Sequence, residues 1–168
     1  MNRLSMLTMT TMVLLCVGVA LPAGDALAQQ KSLKEQLVGT WTLVSLVEQY
    51  QDGRKDSNSF GPNLKGMLIL DRTGRFSLHL IGGDRAKTGG NPRSPVGPAV
   101  AYFGTYSVGE GDKSLTYHVE RSTFPDFEGT DQKATITTIN GDELTYVRAP
   151  IPSPTGTFVP TLEWKRAK

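Results

Sequence analysis

The sequence predicts an all-β domain: an eight-stranded antiparallel up-and-down barrel with a short helix before its first strand. Three observations carry that prediction. Beyond residue 39 the chain is a succession of short runs rich in β-branched, aromatic and other apolar residues; there are eight such runs; and most of the links between them are too short to hold a crossover helix. Eight strands joined in sequence would leave open edges unless the sheet closed on itself. A two-sheet sandwich is the structural alternative, and strand number alone does not exclude it.

Taken in chain order, the first 28 residues stand apart. Arg3 opens a stretch whose apolar run, Met12 to Leu21, ends in the small-residue tripeptide Ala26-Leu27-Ala28, the pattern of a cleaved secretory signal. The run is shorter than the roughly 20 residues a membrane-spanning helix requires, and no second one follows, so no transmembrane segment is expected in the mature chain. Cys16 follows Leu14 and Leu15 rather than a small residue, which argues against a lipid anchor. The expected location is periplasmic or secreted.

Residues 29–168 are enough for one domain with one sizeable core. They contain no cysteine, so neither a disulfide nor a thiolate is available to stabilise the fold, bind metal or act as a nucleophile. The net charge is +2, and the basic residues are scattered rather than gathered into a nucleic-acid footprint.

Ser32 with Glu35 three residues on is a capping box, and Leu33 and Leu37 fall on one face of a short helix that ends at Gly39. The strand candidates are residues 40–50, 65–71, 75–81, 100–108, 114–122, 131–139, 143–148 and 157–166. Between them Asp71-Arg72-Thr73-Gly74, Gly109-Glu110-Gly111-Asp112 and Asn140-Gly141-Asp142 are tight-turn sequences in which glycine or asparagine supplies positive φ. A barrel of this strand number is either filled by its own side chains or able to hold one small ligand.

The segments "LVGTWTLVS", "FGPNLKGMLIL", "DRTGRFS", "AYFGTYSV", "HVERSTFPDFEGTDQ" and "GDELTY" together resemble the bacterial lipocalin-like domain proteins, in the family's order from about residue 36 to the C-terminus. The resemblance implies that the Trp41 indole of Gly39-Thr40-Trp41 plugs the closed end of the barrel. A cation from "LEWKRAK", Arg166 or Lys165, would lie over it, a contact of roughly 0.5–2 kcal/mol. It also implies that the barrel binds a small apolar or amphipathic molecule, although some lipocalin-like proteins act as isomerases, cyclases or hydrolases. Lys133 departs from the pattern, standing where an apolar residue or arginine is expected.

Site candidates come from strand alternation. In "TYHVERS" Thr116, His118, Glu120 and Ser122 share one face, with Leu115, Tyr117 and Val119 on the other. If the apolar face looks inward, His118 and Glu120 are a solvated outer pair. If the reverse holds, they line the cavity and can move a proton or orient a polar ligand group. His79 shares a face with Ser77 and carries the same ambiguity. Two histidines and a glutamate also raise a metal site, since H-x-E puts two ligands on one strand face, but nothing in the sequence fixes a third beside them, and neither metal nor cofactor is expected.

Tyr102, Gly104 and Tyr106 alternate with Phe103, Thr105 and Ser107. Gly104 marks a bend or a close approach, and the two tyrosines either pack or present hydroxyls to a bound molecule. Residues 82–98, with five glycines and three prolines, are either a surface loop or a lid bearing Arg85, Lys87 and Arg93 for an anionic head group. Phe124 and Phe127 are candidates for an apolar rim. Asp52, Asp56, Asp71, Asp112 and Asp142 all lie in turn-like segments.

No nucleophile elbow, phosphate-cradling loop or dinucleotide fingerprint is present. Three readings follow: an exported carrier of a small, largely apolar molecule; a cofactor-free enzyme using His118, Glu120 or His79; or an envelope-associated domain with a solid interior.

Overall fold

A computed structural model describes residues 31–87 and 97–168. The predicted leader, Met1 to Ala28, and Arg93 lie outside the described residues. Helix α1 spans Leu33–Leu37. It is followed by strands β1 (Gly39–Tyr50), β2 (Lys55–Asp56), β3 (Lys65–Leu70), β4 (Arg75–Ile81), β5 (Ala99–Gly109), β6 (Ser114–Ser122), β7 (Asp131–Asn140), β8 (Glu143–Arg148) and β9 (Phe158–Arg166). A single 3-10 turn, η1 (Pro125–Phe127), lies between β6 and β7.

Eight of these strands pair in sequence order, and β1 pairs with both β3 and β9, which closes the barrel. Every pairing is antiparallel. Strand β2, absent from the sequence prediction, is a two-residue addition on Glu48 and Gln49 at the far end of β1.

The antiparallel order brings the last residues of β1, β4, β6 and β8, with the connections 51–64, 123–130 and 149–157, to one end. The tight turns 71–74, 110–113 and 141–142 gather at the other, with α1 across them. The predicted capping box forms: the Ser32 hydroxyl accepts from the Glu35 amide at 3.1 Å, and the Glu35 carboxylate accepts from the Ser32 amide at 2.8 Å. Glu110 from the β5–β6 turn also accepts from the Leu33 amide at 2.8 Å, tying the helix to the barrel. Leu33 and Leu37 are buried beneath it.

The seal at this end is a packed stack. The Trp41 indole donates to the Leu37 carbonyl at 2.9 Å, and the Arg166 guanidinium lies 4.1 Å from the centre of its ring. Arg166 donates to the carbonyls of Gln36 at 2.7 Å, Val38 at 2.9 Å and Gly141 at 2.9 Å, so one side chain ties the helix end to the β7–β8 turn. Lys165 points outward. Gly39 has φ +143°, and a Cβ there would stand 2.5 Å from Arg166 Nη1, which is why glycine precedes the tryptophan by two residues.

Three register shifts set which side chains face inward. Val44 is extra in β1 between Leu43↔Trp164 and Ser45↔Glu163 and is 62% exposed. Glu120 is extra in β6, where Phe103 pairs with Arg121 but Gly104 with Val119. Thr137 is extra in β7. Each bulge reverses the parity of the strand beyond it. Gly104 faces the β6 bulge, and a Cβ there would overlap the His118 carbonyl, so the close approach expected of a glycine within a strand is present.

Candidate ligand-binding interior

The apolar face of β6 looks inward: Leu115, Tyr117 and Val119 are buried. The alternation therefore places His118 and Glu120 on the outer wall, a correction to the reading in which they line the cavity. His118 Nδ1 meets Asp131 at 2.9 Å with both side chains more than half exposed, and Glu120 pairs with Arg75 across β5. His79 is also outward, since Phe76, Leu78 and Leu80 of β4 are the buried set; its Nε2 lies 2.7 Å from the Ser77 hydroxyl. One strand and four residues of register separate the two histidines, His79 pairing with Ala101 and His118 with Thr105. Proton-transfer chemistry built on these three groups loses its cavity. No cluster of three His, Cys, Asp or Glu side chains able to hold a metal ion occurs among the described residues. Lys133 is exposed on the outer face of β7, where a charge is easily solvated.

The two tyrosines of β5 part company. Tyr106 donates its hydroxyl to the Asp71 carbonyl at 2.7 Å and has Lys34 over its ring, so it belongs to the closed end. Tyr102 is interior, with Phe76, Tyr117 and Phe127 around its ring at 5.8, 6.5 and 5.8 Å between centroids. Phe127 of η1 is half-buried above Tyr102, and Phe124, exposed, packs edge-on against Phe127 at 5.0 Å. The expected apolar rim is thus one ring folded onto the interior with a second leaning on it. Arg85 is half-buried near the start of the 82–98 connection, its stem against Gly97, and Lys87 is exposed.

Two interior groups were missed by the sequence reading. Arg148 ends the inward series Leu144, Tyr146, Arg148 on β8 and is 9% exposed. It donates from Nη1 to the Tyr102 hydroxyl at 3.1 Å and from Nη2 to Gln132 Oε1 at 2.5 Å, and its Nε has no partner among the described residues. None of the carboxylates in the ion pairs of the described residues belongs to it. The signal was available: period-two alternation puts Arg148 on the same face as two apolar residues.

Glu48, 6% exposed, is turned inward by the Val44 bulge. It accepts from the Ser59 hydroxyl at 2.9 Å and the Tyr50 hydroxyl at 3.3 Å, and burial raises its pKa above the ordinary glutamate value. Glu48 pairs with Pro160 on one side, and extending the β8–β9 register past Val147↔Thr161 sets Arg148 against Pro160 on the other. A carboxyl and a guanidinium thus face the interior one strand apart, each hydrogen-bonded to neutral partners.

The surrounding wall is aromatic and aliphatic, and the rings run in series. Tyr117 and Tyr146 lie 6.4 Å apart, and Tyr146 stacks on Trp164 at 6.2 Å. Burial raises the phenol pKa of Tyr102, Tyr117 and Tyr146, so all three stay protonated.

The lipocalin-like domain family is matched over residues 38–167, the stretch that forms the closed antiparallel ring with the Arg–Trp stack at its base. The chain belongs to that family. Its lipocalin-like barrel is similar to two solved designs. One is a redesigned β-barrel, 12% identical over 82% of this chain and 100% of that one, with a TM-score of 0.44; the other is a de novo designed fluorescence-activating β-barrel, 16% identical over 82% of this chain and 99% of that one, with a TM-score of 0.43. No curated protein matches the sequence. No helix among the described residues of this lipocalin-like protein is long and apolar enough to cross a membrane.

Proposed function

We propose that this chain is an exported binding protein whose barrel shelters a small, largely apolar molecule bearing an acidic head group. The observation that carries the reading is Arg148, a guanidinium 9% exposed inside an apolar barrel with neutral partners and an unpartnered Nε. A buried charge without a counter-ion costs several kcal/mol, a penalty that an anionic ligand offsets through a bidentate, charge-assisted contact. Tyr102, Gln132 and Arg148 then hold the head group. Phe76, Phe127 and Tyr117 flank the apolar body. Export is supported by Arg3, the apolar run Met12 to Leu21 and the tripeptide Ala26-Leu27-Ala28.

Calorimetric titration with decanoate and with decan-1-ol tests the reading. Decanoate is expected to bind saturably and raise the melting temperature, with the alcohol weaker by roughly ten- to hundredfold, since a hydrogen bond to a charged group contributes about 1.5–3 kcal/mol. Arg148→Gln is expected to erase the difference. Equal affinities for acid and alcohol, or no saturable binding of either, overturn the proposal.

A further inference from the structure

The exposed large apolar side chains of the described residues are Val44, Met67, Ile81, Phe103 and Phe124. They gather on one side of the barrel. Met67 pairs with Thr42 and His79, His79 with Ala101, and Phe103 with Ser77 and Arg121, so β3, β4 and β5 turn these side chains out on one wall. Ile81, the last residue of β4, pairs with Lys65 and Ala99 on the same wall, at the end of the barrel away from α1. Val44 stands two residues past Thr42, and Phe124 follows Thr123, whose amide donates to the Ala101 carbonyl at 2.9 Å. By strand geometry the wall runs about 13 Å from the level of Ile81 to that of Phe103, and about 10 Å from β3 to β5. Strands β7, β8 and β9 carry none of the five; their outer side chains include Asp131, Lys133, Glu143, Glu163 and Lys165, with both signs of charge.

Single exposed apolar residues are ordinary on a protein surface, but a cluster confined to one wall marks a contact surface. The charge of this wall is one-sided as well. No aspartate or glutamate occurs in β3, β4 or β5, while Lys65 and Arg75 project from them and Arg121 stands beside Phe103. Arg75 is held by Glu120, and Arg121 reaches Glu128 at 3.4 Å with 72% of its side chain exposed, whereas Lys65 belongs to no ion pair of the described residues. A second copy would meet this wall with the same wall, cation against cation, with no carboxylate on the three strands to answer them. Small residues, Ser77, Ala99 and Ala101, separate the large ones, so the apolar tips stand out singly. A fluid interface takes such tips without shape complementarity, and its phosphates answer the cations.

We propose that the outer wall of β3, β4 and β5 docks the barrel on a phospholipid bilayer bearing anionic head groups. Met67, Ile81, Phe103 and Phe124 enter the interface, and Lys65 and Arg121 meet its phosphates. The protein lies on the bilayer and does not span it. This inference stands apart from the acid-binding reading, since it uses only side chains on the outside of the barrel.

The test is co-sedimentation with vesicles of phosphatidylcholine mixed with phosphatidylglycerol, beside vesicles of phosphatidylcholine alone. It uses residues 29–168, of which 31–168 are compact by themselves, so that the apolar run Met12 to Leu21 does not bind the vesicles instead. The mixed vesicles are expected to bind roughly five- to thirtyfold more tightly, the worth of one or two cations at an anionic surface. The double variant Met67→Ser, Phe103→Ser is expected to lose about tenfold or more, and a melting curve checks that it folds. Lys65→Glu is expected to narrow the preference for the mixed vesicles, and Lys133→Glu, the same charge change on the opposite wall, to leave it in place. Absence of vesicle binding, or binding that survives the double variant, overturns the proposal. An equal loss from Lys65→Glu and Lys133→Glu overturns it too, because net charge rather than this wall would then drive the binding. A dimer in light scattering that the double variant dissolves assigns the wall to a second copy and overturns it likewise.

Discussion

Arg148 meets Tyr102 twice: Nη1 donates to the phenol oxygen at 3.1 Å, and the guanidinium carbon stands 5.9 Å from the centre of the same ring. Phe127 approaches the same cation at 5.7 Å. Two ring systems and a side-chain amide therefore fix the orientation of a charge that no carboxylate among the described residues pairs with. Groups held for binding rather than for folding impose a stability cost, which gives the first expectation.

Arg148→Met, which keeps length and removes charge, is expected to leave the melting temperature unchanged or to raise it. Replacing buried charge by well-packed apolar groups is often neutral or stabilising, by about 1–4 kcal/mol. A fall of several degrees in a thermal melt would instead mean that the guanidinium holds β8 in place.

At the other end of the barrel the demand is steric. Gly39→Ala forces an alanine to φ +143° and drives its methyl group onto Arg166. The expected loss is about 1–3 kcal/mol in urea unfolding. Decanoate affinity should not move, because the substitution lies at the closed end. A variant as stable as the wild type would show that Arg166 withdraws freely from the Trp41 stack.

Glu48 makes stability depend on pH. Its carboxyl has a higher pKa in the folded state than in the unfolded chain, with burial as the main cause and Asp56 adding to it. The native state therefore holds the proton more tightly. Stability is greatest below the unfolded value, near 4.3, and declines as pH rises from there through the folded value. Glu48→Gln is expected to flatten this decline and to be more stable relative to wild type at neutral pH than at pH 4. Denaturant midpoints across that range check it, and parallel curves for the two proteins would contradict it.

The outer-wall placement of the histidines also has a consequence. The double variant His79→Ala, His118→Ala is expected to change decanoate affinity by no more than about twofold, the scale of ordinary surface substitutions. A larger loss in the titration would return these residues to the binding site.

Much of the barrel was legible because alternation in these strands is strong. The runs 75–81, 114–122 and 143–148 are predicted with the observed ends, and the capping box at Ser32 and Glu35 forms as read. The interior was less so. Period-two alternation divides "TYHVERS" into two faces without saying which is inside; burial of Leu115, Tyr117 and Val119 decides it. In Gly39–Tyr50, alternation counted from Trp41 places Glu48 outside, and only the extra Val44 brings it in. A bulge leaves little trace in composition, since Val44 looks like any other strand valine. Arg148 was within reach, sharing a face with Leu144 and Tyr146, yet an arginine at the end of a strand reads as solvated until its neighbours are placed.

Val44 has a reach beyond its own position. As the surplus residue it keeps Leu46, Glu48 and Tyr50 on the lining although a count from Trp41 turns them out, and a single-codon deletion there would remove the bulge and the extra count together, leaving the same three inward. Among homologues, a one-residue gap at this position therefore preserves the lining, whereas a one-residue deletion between Ser45 and Glu48, with the bulge kept, would turn the carboxyl outward.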